Sequence, residues 1–288
     1  MQRNQSVRTI GPAVRICQIN VEHISSSKSD YLSRLMTDEN IDVLLLQETR
    51  TQSHEALISK GTIHGYKLLA ALHHRSYGIA TYITNNITGA EVVESRSTND
   101  IFIIAAKIHG INIINIYKPP LTQWPVNAIP QYEHPAVYAG DFNSHHSLWR
   151  YQTDDENGTW LVDWAETLNL HLLYDAKDRE TFHSARWDRD YIPDLCFVTS
   201  MNTGPLPATR VVQKNFPQSQ HRPVIIDIGN KIPIVKSVAK PRWNFHKADW
   251  KRFSKLLDDA IRFIPPLSSK YERFVGLVIA SAKKTIPR

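Results

Sequence analysis

The residues best suited to chemistry lie in the stretch Val137-Tyr138-Ala139-Gly140-Asp141-Phe142-Asn143-Ser144-His145-His146. An apolar run enters Gly140 and then presents Asp141 and Asn143 two residues apart. Side chains on a strand repeat with a period of two, so this spacing predicts both groups on one face. A carboxylate beside a carboxamide at the end of a buried strand is costly packing unless the two act chemically. An amide that holds the carboxylate leaves it able to orient and deprotonate a water. That chemistry is hydrolytic, and it requires a metal ligand, an oxyanion stabiliser and a second polar cluster from elsewhere in the chain.

Polar residues stand at the ends of other apolar runs. Asn20 falls at the end of 14–21, Glu48 follows 41–47, and Tyr117 ends 111–117. Asp194 opens Leu195-Cys196-Phe197-Val198, and Ser219-Gln220-His221 precedes 223–228. One such residue alone reads as a cap or turn former. Together they read as one site assembled by topology: a carboxylate for a hard cation, an Asp-Asn pair, and a His with a distant Asp. No His-rich or Cys-rich ligand set accompanies them, so the expected metal is Mg²⁺ or Mn²⁺ held by oxygens. A His whose other nitrogen is held by an Asp can donate to a phosphate oxygen.

The elements that must position these groups are mostly strands. Residues 101–108 and 111–117 flank His109-Gly110 as a hairpin, and 78–83, 192–199 and 223–228 read as further strands. Helices are expected over about 28–39, capped by Ser25-Ser26-Ser27, and about 159–168, where Trp160, Leu161, Trp164 and Leu168 recur at helical spacing. The expected fold class is α/β, with two packed sheets and flanking helices. Cys17 and Cys196 both sit in apolar runs, which points to small buried side chains and away from disulfides or zinc. The polar start, 1–13, has no signal-peptide core, and no apolar run reaches membrane-span length. An intracellular protein is expected.

The net charge of +6 is unevenly spread. Residues 231–288 hold 14 Lys and Arg against 4 Asp and Glu, leaving 20 against 24 in residues 1–230. An acidic-cleft domain joined to a segment that meets a polyanion fits this asymmetry. The expected organisation is a polar tail over 1–13, a domain over 14–230, a basic linker over 231–242, and two amphipathic helices within 243–288. Trp250, Phe253, Leu256, Leu257, Ala260 and Ile261 mark the first helix; Tyr271, Phe274, Val275, Val278 and Ala282 mark the second.

The ordered set Gln18-x-Asn20, Leu46-Gln47-Glu48-Thr49, Asn115-x-Tyr117-x-Pro119-Pro120, Gly140-Asp141-Phe142-Asn143, Pro193-Asp194-Leu195 and Ser219-x-His221-Arg222-Pro223 resembles the endonuclease/exonuclease/phosphatase superfamily. The likeness spans roughly residues 14–229. The spellings Gln47-Glu48-Thr49, Gly140-Asp141-Phe142-Asn143-x-His145-His146-x-x-Trp149 and Pro193-Asp194-Leu195 resemble the endonuclease domain of jockey-like non-LTR retrotransposons. Arg242-Trp243-Asn244-Phe245 and the two helices look like the segment leading to a reverse transcriptase, which this sequence lacks.

The resemblance implies a DNase I-like, four-layer α/β/β/α sandwich of two mixed sheets. It implies that Glu48 binds the divalent metal with Asn20 beside it. Asp141, aligned by Asn143, would activate water; His221, oriented by Asp194, would stabilise the phosphate; Tyr117 would assist. The implied substrate is double-stranded DNA, nicked to leave a 3′-hydroxyl that primes reverse transcription, with a nuclear site of action. A hairpin carrying Arg186, Trp187 and Arg189 would reach into DNA. Arg222 would meet phosphate or a core acid, and His145 would reach substrate or begin a surface loop. The basic C-terminal segment would bind RNA or DNA, and no membrane role is implied.

One position departs from the family: Gln220 stands where an Asp near the metal is usual. A neutral amide holds a hard cation less well, so weaker metal affinity and slower cleavage are expected, with Gln220→Asp restorative. The alternatives are a catalytically silent nucleic-acid-binding relic and another phosphoesterase of the superfamily.

Overall fold

The computed structural model describes residues 14–229 and 243–287. The expected N-terminal tail and basic linker lie outside the described residues. From its start the chain runs β1 (Val14–Asn20), α1 (Ser26–Asp38), β2 (Val43–Gln47), α2 (His54–Lys60), β3 (Tyr66–Leu72), β4 (Ile79–Thr84), β5 (Glu91–Thr98), β6 (Ile101–Ile108), β7 (Ile111–Tyr117) and β8 (Ala136–Asp141). It continues through α3 (Glu156–Thr167), β9 (Leu170–Leu172), β10 (Phe182–Ser184), β11 (Arg189–Tyr191), β12 (Asp194–Met201), β13 (Gly204–Pro205), β14 (Ala208–Val212) and β15 (Val224–Ile228).

Two mixed sheets form. The first has the order β14-β15-β1-β2-β4-β3 and the second β13-β12-β8-β7-β6-β5, with β9 also on β12. The β1–β2 and β7–β8 pairs are parallel. Alternation along the strands divides the apolar residues into three layers. Ile16, Leu45 and Ile226 of the first sheet pack with Ile113, Ala139 and Cys196 of the second in the central layer. The opposite face of the first sheet packs Cys17, Ile19, Leu44 and Leu46 against Leu32 and Met36 of α1 and Leu57 of α2. The opposite face of the second sheet packs Ile114, Ile116, Tyr138 and Phe197 against Leu161 and Ala165 of α3. The result is the four-layer α/β/β/α sandwich, held by burial of these faces. Both cysteines are free and buried.

The hairpin β6–β7 has the register expected of 101–108 and 111–117, with Ile108 opposite Ile111. The sequence alone gave no sign of α2, β3 or β5. The short helix α2 buries one residue, Leu57. The sheet-edge strands β3 and β5 are half-buried or exposed and each carries an irregularity, which blurs their alternation.

Contacts divide the described residues into two units, 14–229 and 243–287. In the C-terminal unit, α4 (Trp250–Ile261) and α5 (Tyr271–Thr285) pack on each other. Asp249 caps α4 by accepting from the Arg252 N–H. A 3₁₀ turn at Ser268–Lys270 delays α5 to Tyr271. Among the described residues no helix is long and apolar enough to cross a membrane.

Candidate active site

The inner faces of five central strands change from apolar to polar at one end of the sandwich. Gln18 and Asn20 continue the inward row of Ile16; Gln47 continues that of Leu45. Asn115 and Tyr117 follow Ile113, Asp141 follows Ala139, and Asp194 precedes Cys196. Cross-strand register sets them side by side: Asn20 opposite Gln47, Tyr117 opposite Asp141, and Asp141 opposite Asp194. Like charges directly opposite one another are destabilising, so the two buried aspartates require a cationic partner.

His221 supplies it. Its Nδ1 donates to Asp194 Oδ2 at 2.9 Å, and its Nε2 lies 3.9 Å from Asp141 Oδ2. Candidate ligand atoms of Asp141, Asp194 and His221 all lie within 4.8 Å of one another. The other oxygen of Asp194 accepts from Gln18 Nε2 at 2.8 Å. Gln18 also donates to Gln47 Oε1 at 2.7 Å, and Gln47 to Asn115 Oδ1 at 2.6 Å. A row of buried amides thereby fixes Asp194 from behind, and each member has a partner, as burial demands.

The other half of the site surrounds Glu48. Asn20 Nδ2 donates to both Glu48 Oε1 (3.1 Å) and Asp141 Oδ2 (2.9 Å), so the two carboxylates share one amide. The Tyr117 hydroxyl donates to Glu48 Oε1 at 2.8 Å. Arg50 pairs with Glu48 Oε2, and Glu48 itself adopts a left-handed φ of 50°. Asp141 Oδ1 accepts from the Asn143 backbone N–H at 3.1 Å.

Electrostatics follow this crowding. Burial, then the charge of Asp194, pushes the Asp141 carboxyl above its ordinary range, with His221 opposing. Burial disfavours the charged His221 ring, but Asp194 outweighs it through charge and hydrogen bond and, with Asp141, raises it. Burial and the neighbouring Glu48 push the Tyr117 phenol up, so it stays a donor. Glu48 and Asp141 converge on one amide at the open end of a polar layer. Their hard oxygen donors and net negative charge fit a divalent cation such as Mg²⁺.

One expectation needs correction, and other expected site residues take definite partners. Asn143 does not align Asp141 through its side chain: β8 ends at Asp141, and Asn143 turns to a φ of 41°. Its Nδ2 donates to the Lys118 carbonyl, while its backbone N–H meets the carboxylate. The Asn20 amide oxygen accepts from the Glu22 N–H, and its nitrogen faces the acids. Gln220 Oε1 accepts from the Ala185 N–H at 2.7 Å, and Nε2 donates to Glu22. Arg222 is buried, with its guanidinium on Asn215, the Glu180 carbonyl and the acid Asp190.

Arg186, Trp187 and Arg189 are exposed on the β10–β11 hairpin. His145 stacks on Tyr151 with ring centres 4.2 Å apart. Both line a cleft of about 400 Å³ with Asn143, Phe182, Trp187 and His221. Sequence reasoning missed Glu22 and assigned no role to Gln18, Gln47 or Asn115. The signal for the three amides was available as polar residues at the inward positions of otherwise apolar strands.

Residues 111–225 match a family model described as endonuclease-reverse transcriptase. They contain β7, β8, β12 and His221, the half of the site with Asp141 and Asp194. Over these residues the chain is similar to that family. Its fold is similar to the endonuclease domain of TRAS1, a telomere-specific non-LTR retrotransposon, at 17% identity and a TM-score of 0.58, over 77% of this chain and 100% of that one. The AP endonuclease LMAP from Leishmania major shares 16% identity at a TM-score of 0.57, over 76% and 88% of the two chains. The 3′ phosphatase NExo from Neisseria, solved with a product DNA hairpin, shares 14% at 0.55, over 75% and 99%. No curated protein matches by sequence.

Proposed function

We propose that this chain is a divalent-metal-dependent endonuclease that nicks double-stranded DNA and leaves a 3′-hydroxyl. The observation that carries this reading is the continuous polar row Asp194–His221–Asp141–Asn20–Glu48 at one end of the interlayer. Asp141 is the general base for the attacking water, held by Asn20 and the Asn143 N–H. The water oxygen gives its proton to Asp141 and bonds to phosphorus as the P–O3′ bond breaks, and the departing O3′ takes a proton from solvent, leaving a 3′-hydroxyl and a 5′-phosphate. Charged His221 donates from Nε2 to a phosphate oxygen, while Asp194 fixes its Nδ1. Tyr117 and Asn20 orient Glu48, which with Asp141 would hold Mg²⁺ or Mn²⁺. The bound cation supplies Lewis-acid stabilisation of phosphate charge.

Arg186, Trp187 and Arg189 on the exposed hairpin suit DNA contact, and the basic C-terminal unit suits a nucleic-acid backbone. The likeness to the TRAS1 domain favours a retrotransposon endonuclease acting at nuclear DNA to start target-primed reverse transcription. A supercoiled-plasmid nicking assay in Mg²⁺, Mn²⁺ and EDTA, followed by polymerase extension at the nick, tests the proposal. Metal-dependent, directly extendable nicks are expected. Absence of nicking in every metal would refute an active nuclease and favour a silent DNA-binding relic.

A further inference from the structure

The β10–β11 hairpin is joined to the loop carrying His221 by direct bonds. The Gln220 carbonyl accepts from the His183 N–H at 2.9 Å, and the Arg222 N–H donates to the Thr181 carbonyl at 2.7 Å. Phe182 bridges His221 as a lone β pair, with ring centres 4.7 Å apart. The Gln220 side chain adds a bond to the Ala185 N–H, next to the exposed tip. Gln220 also donates from its backbone N–H (2.7 Å) and Nε2 (3.0 Å) to the two oxygens of Glu22. Glu22 belongs to the left-handed turn after β1, with φ of 44° at Glu22 and 80° at His23. Buried Lys28 holds that turn through the carbonyls of Val21, Glu22 and His23.

Gln220 is therefore a bracket between the turn that follows Asn20 and the hairpin that flanks His221. Its length and chemistry both matter. A carboxamide offers an acceptor to Ala185 and a donor to Glu22 at once. An Asp is one methylene shorter and sets a second anion against Glu22; a Glu keeps the reach but repels. The hairpin tip presents Trp187, 63% exposed, with the Arg186 guanidinium 4.8 Å from its ring centre. Trp187 and Phe182 line the same cleft as His221 and Asn143.

We propose that Gln220 is a positioning residue that holds the hairpin tip at a fixed distance from His221, so that one DNA duplex engages both. It governs duplex affinity and choice of nicking site and is not a metal ligand. This rests on the nuclease reading above. It also reverses the expectation that Gln220→Asp restores activity, because that change breaks the bracket.

The test compares Gln220→Ala, Gln220→Asp and Trp187→Ala in the full chain. In the absence of DNA and metal, amide exchange at Ala185 should quicken about tenfold in both Gln220 variants, the factor of one ordinary hydrogen bond. Binding of a labelled duplex in EDTA should weaken about tenfold in Gln220→Ala through lost preorganisation. Trp187→Ala in that background should add less than it does alone, since an unfixed tip contributes little. Titration with Mn²⁺ should give the same affinity for wild type and Gln220→Asp. Unaltered exchange and duplex binding in Gln220→Ala would overturn the proposal. So would tighter Mn²⁺ binding in Gln220→Asp, which would make position 220 part of the metal site. If the wild type fails to nick, the nuclease reading falls, while exchange and duplex binding still decide the role of Gln220.

Discussion

Asp194→Asn is the most informative single perturbation of the site. The wild-type contact between His221 Nδ1 and Asp194 Oδ2 joins side chains that are 6% and 0% exposed. Burial opposes a charged His221, and the Asp194 charge and hydrogen bond overcome it. A hydrogen bond to a charged group contributes about 1.5–3 kcal/mol, and breaking a buried ion pair costs about 3–5 kcal/mol. Asparagine removes the charge but keeps the size, so burial then dominates and His221 becomes neutral at pH 7. At about 1.36 kcal/mol per decade, the lost donor charge corresponds to a fall of about 10²–10⁴ in the nicking rate. Nicking measured from pH 5.5 to 8.5 separates this from general damage. The deficit should be greatest at neutral and alkaline pH and shrink in acid, where the variant ring regains its proton. The stability sign is fixed by the same shift: the folded-state pKa is raised. The stabilisation is therefore complete below the ordinary histidine range and lost as pH rises through the folded value. Urea unfolding of Asp194→Asn should lack that alkaline loss. A rate within about threefold of wild type, or a deficit independent of pH, would refute the assigned role of Asp194.

Three further outcomes follow from other parts of the structure. A Cβ at Gly140 would lie 1.8 Å from the Ile116 carbonyl oxygen, so Gly140→Ala must part β7 from β8; urea unfolding should show a loss of about 3 kcal/mol or more. Burial pushes the Lys118 ammonium down to about 8, with Asp141 and Asp155 opposing. Above that pH the unfolded chain binds the extra proton, so wild type should gain about 2 kcal/mol relative to Lys118→Met between pH 7.5 and 9.5 in urea unfolding. Glu48→Gln keeps the Tyr117 and Asn20 partners but removes the charge suited to a cation, so Mn²⁺ titration should show affinity reduced by about tenfold or more.

The parts of the site legible in the sequence are those governed by strand alternation. Asp141, Asp194, Asn20 and Tyr117 could be assigned to one end of a sandwich because their strands are long and apolar on the neighbouring inward positions. The same rule misled at Asn143, which follows the last strand residue and turns away. Glu22 was invisible because it lies in a turn whose geometry depends on Lys28, six residues later. Gln220 was read by family position, whereas its partners, Ala185 and Glu22, are 35 and 198 residues distant. The edge strands β3 and β5 lacked the burial on which pattern reading depends.

The central claim is that Asp141 activates water for attack on a DNA phosphate held beside His221. Single-turnover nicking of supercoiled DNA in Mg²⁺ by wild type and Asp141→Asn tests it directly. The account predicts that the variant folds, still binds duplex DNA, and nicks slower by about 10²–10⁴-fold. An Asp141→Asn rate equal to that of wild type would contradict it.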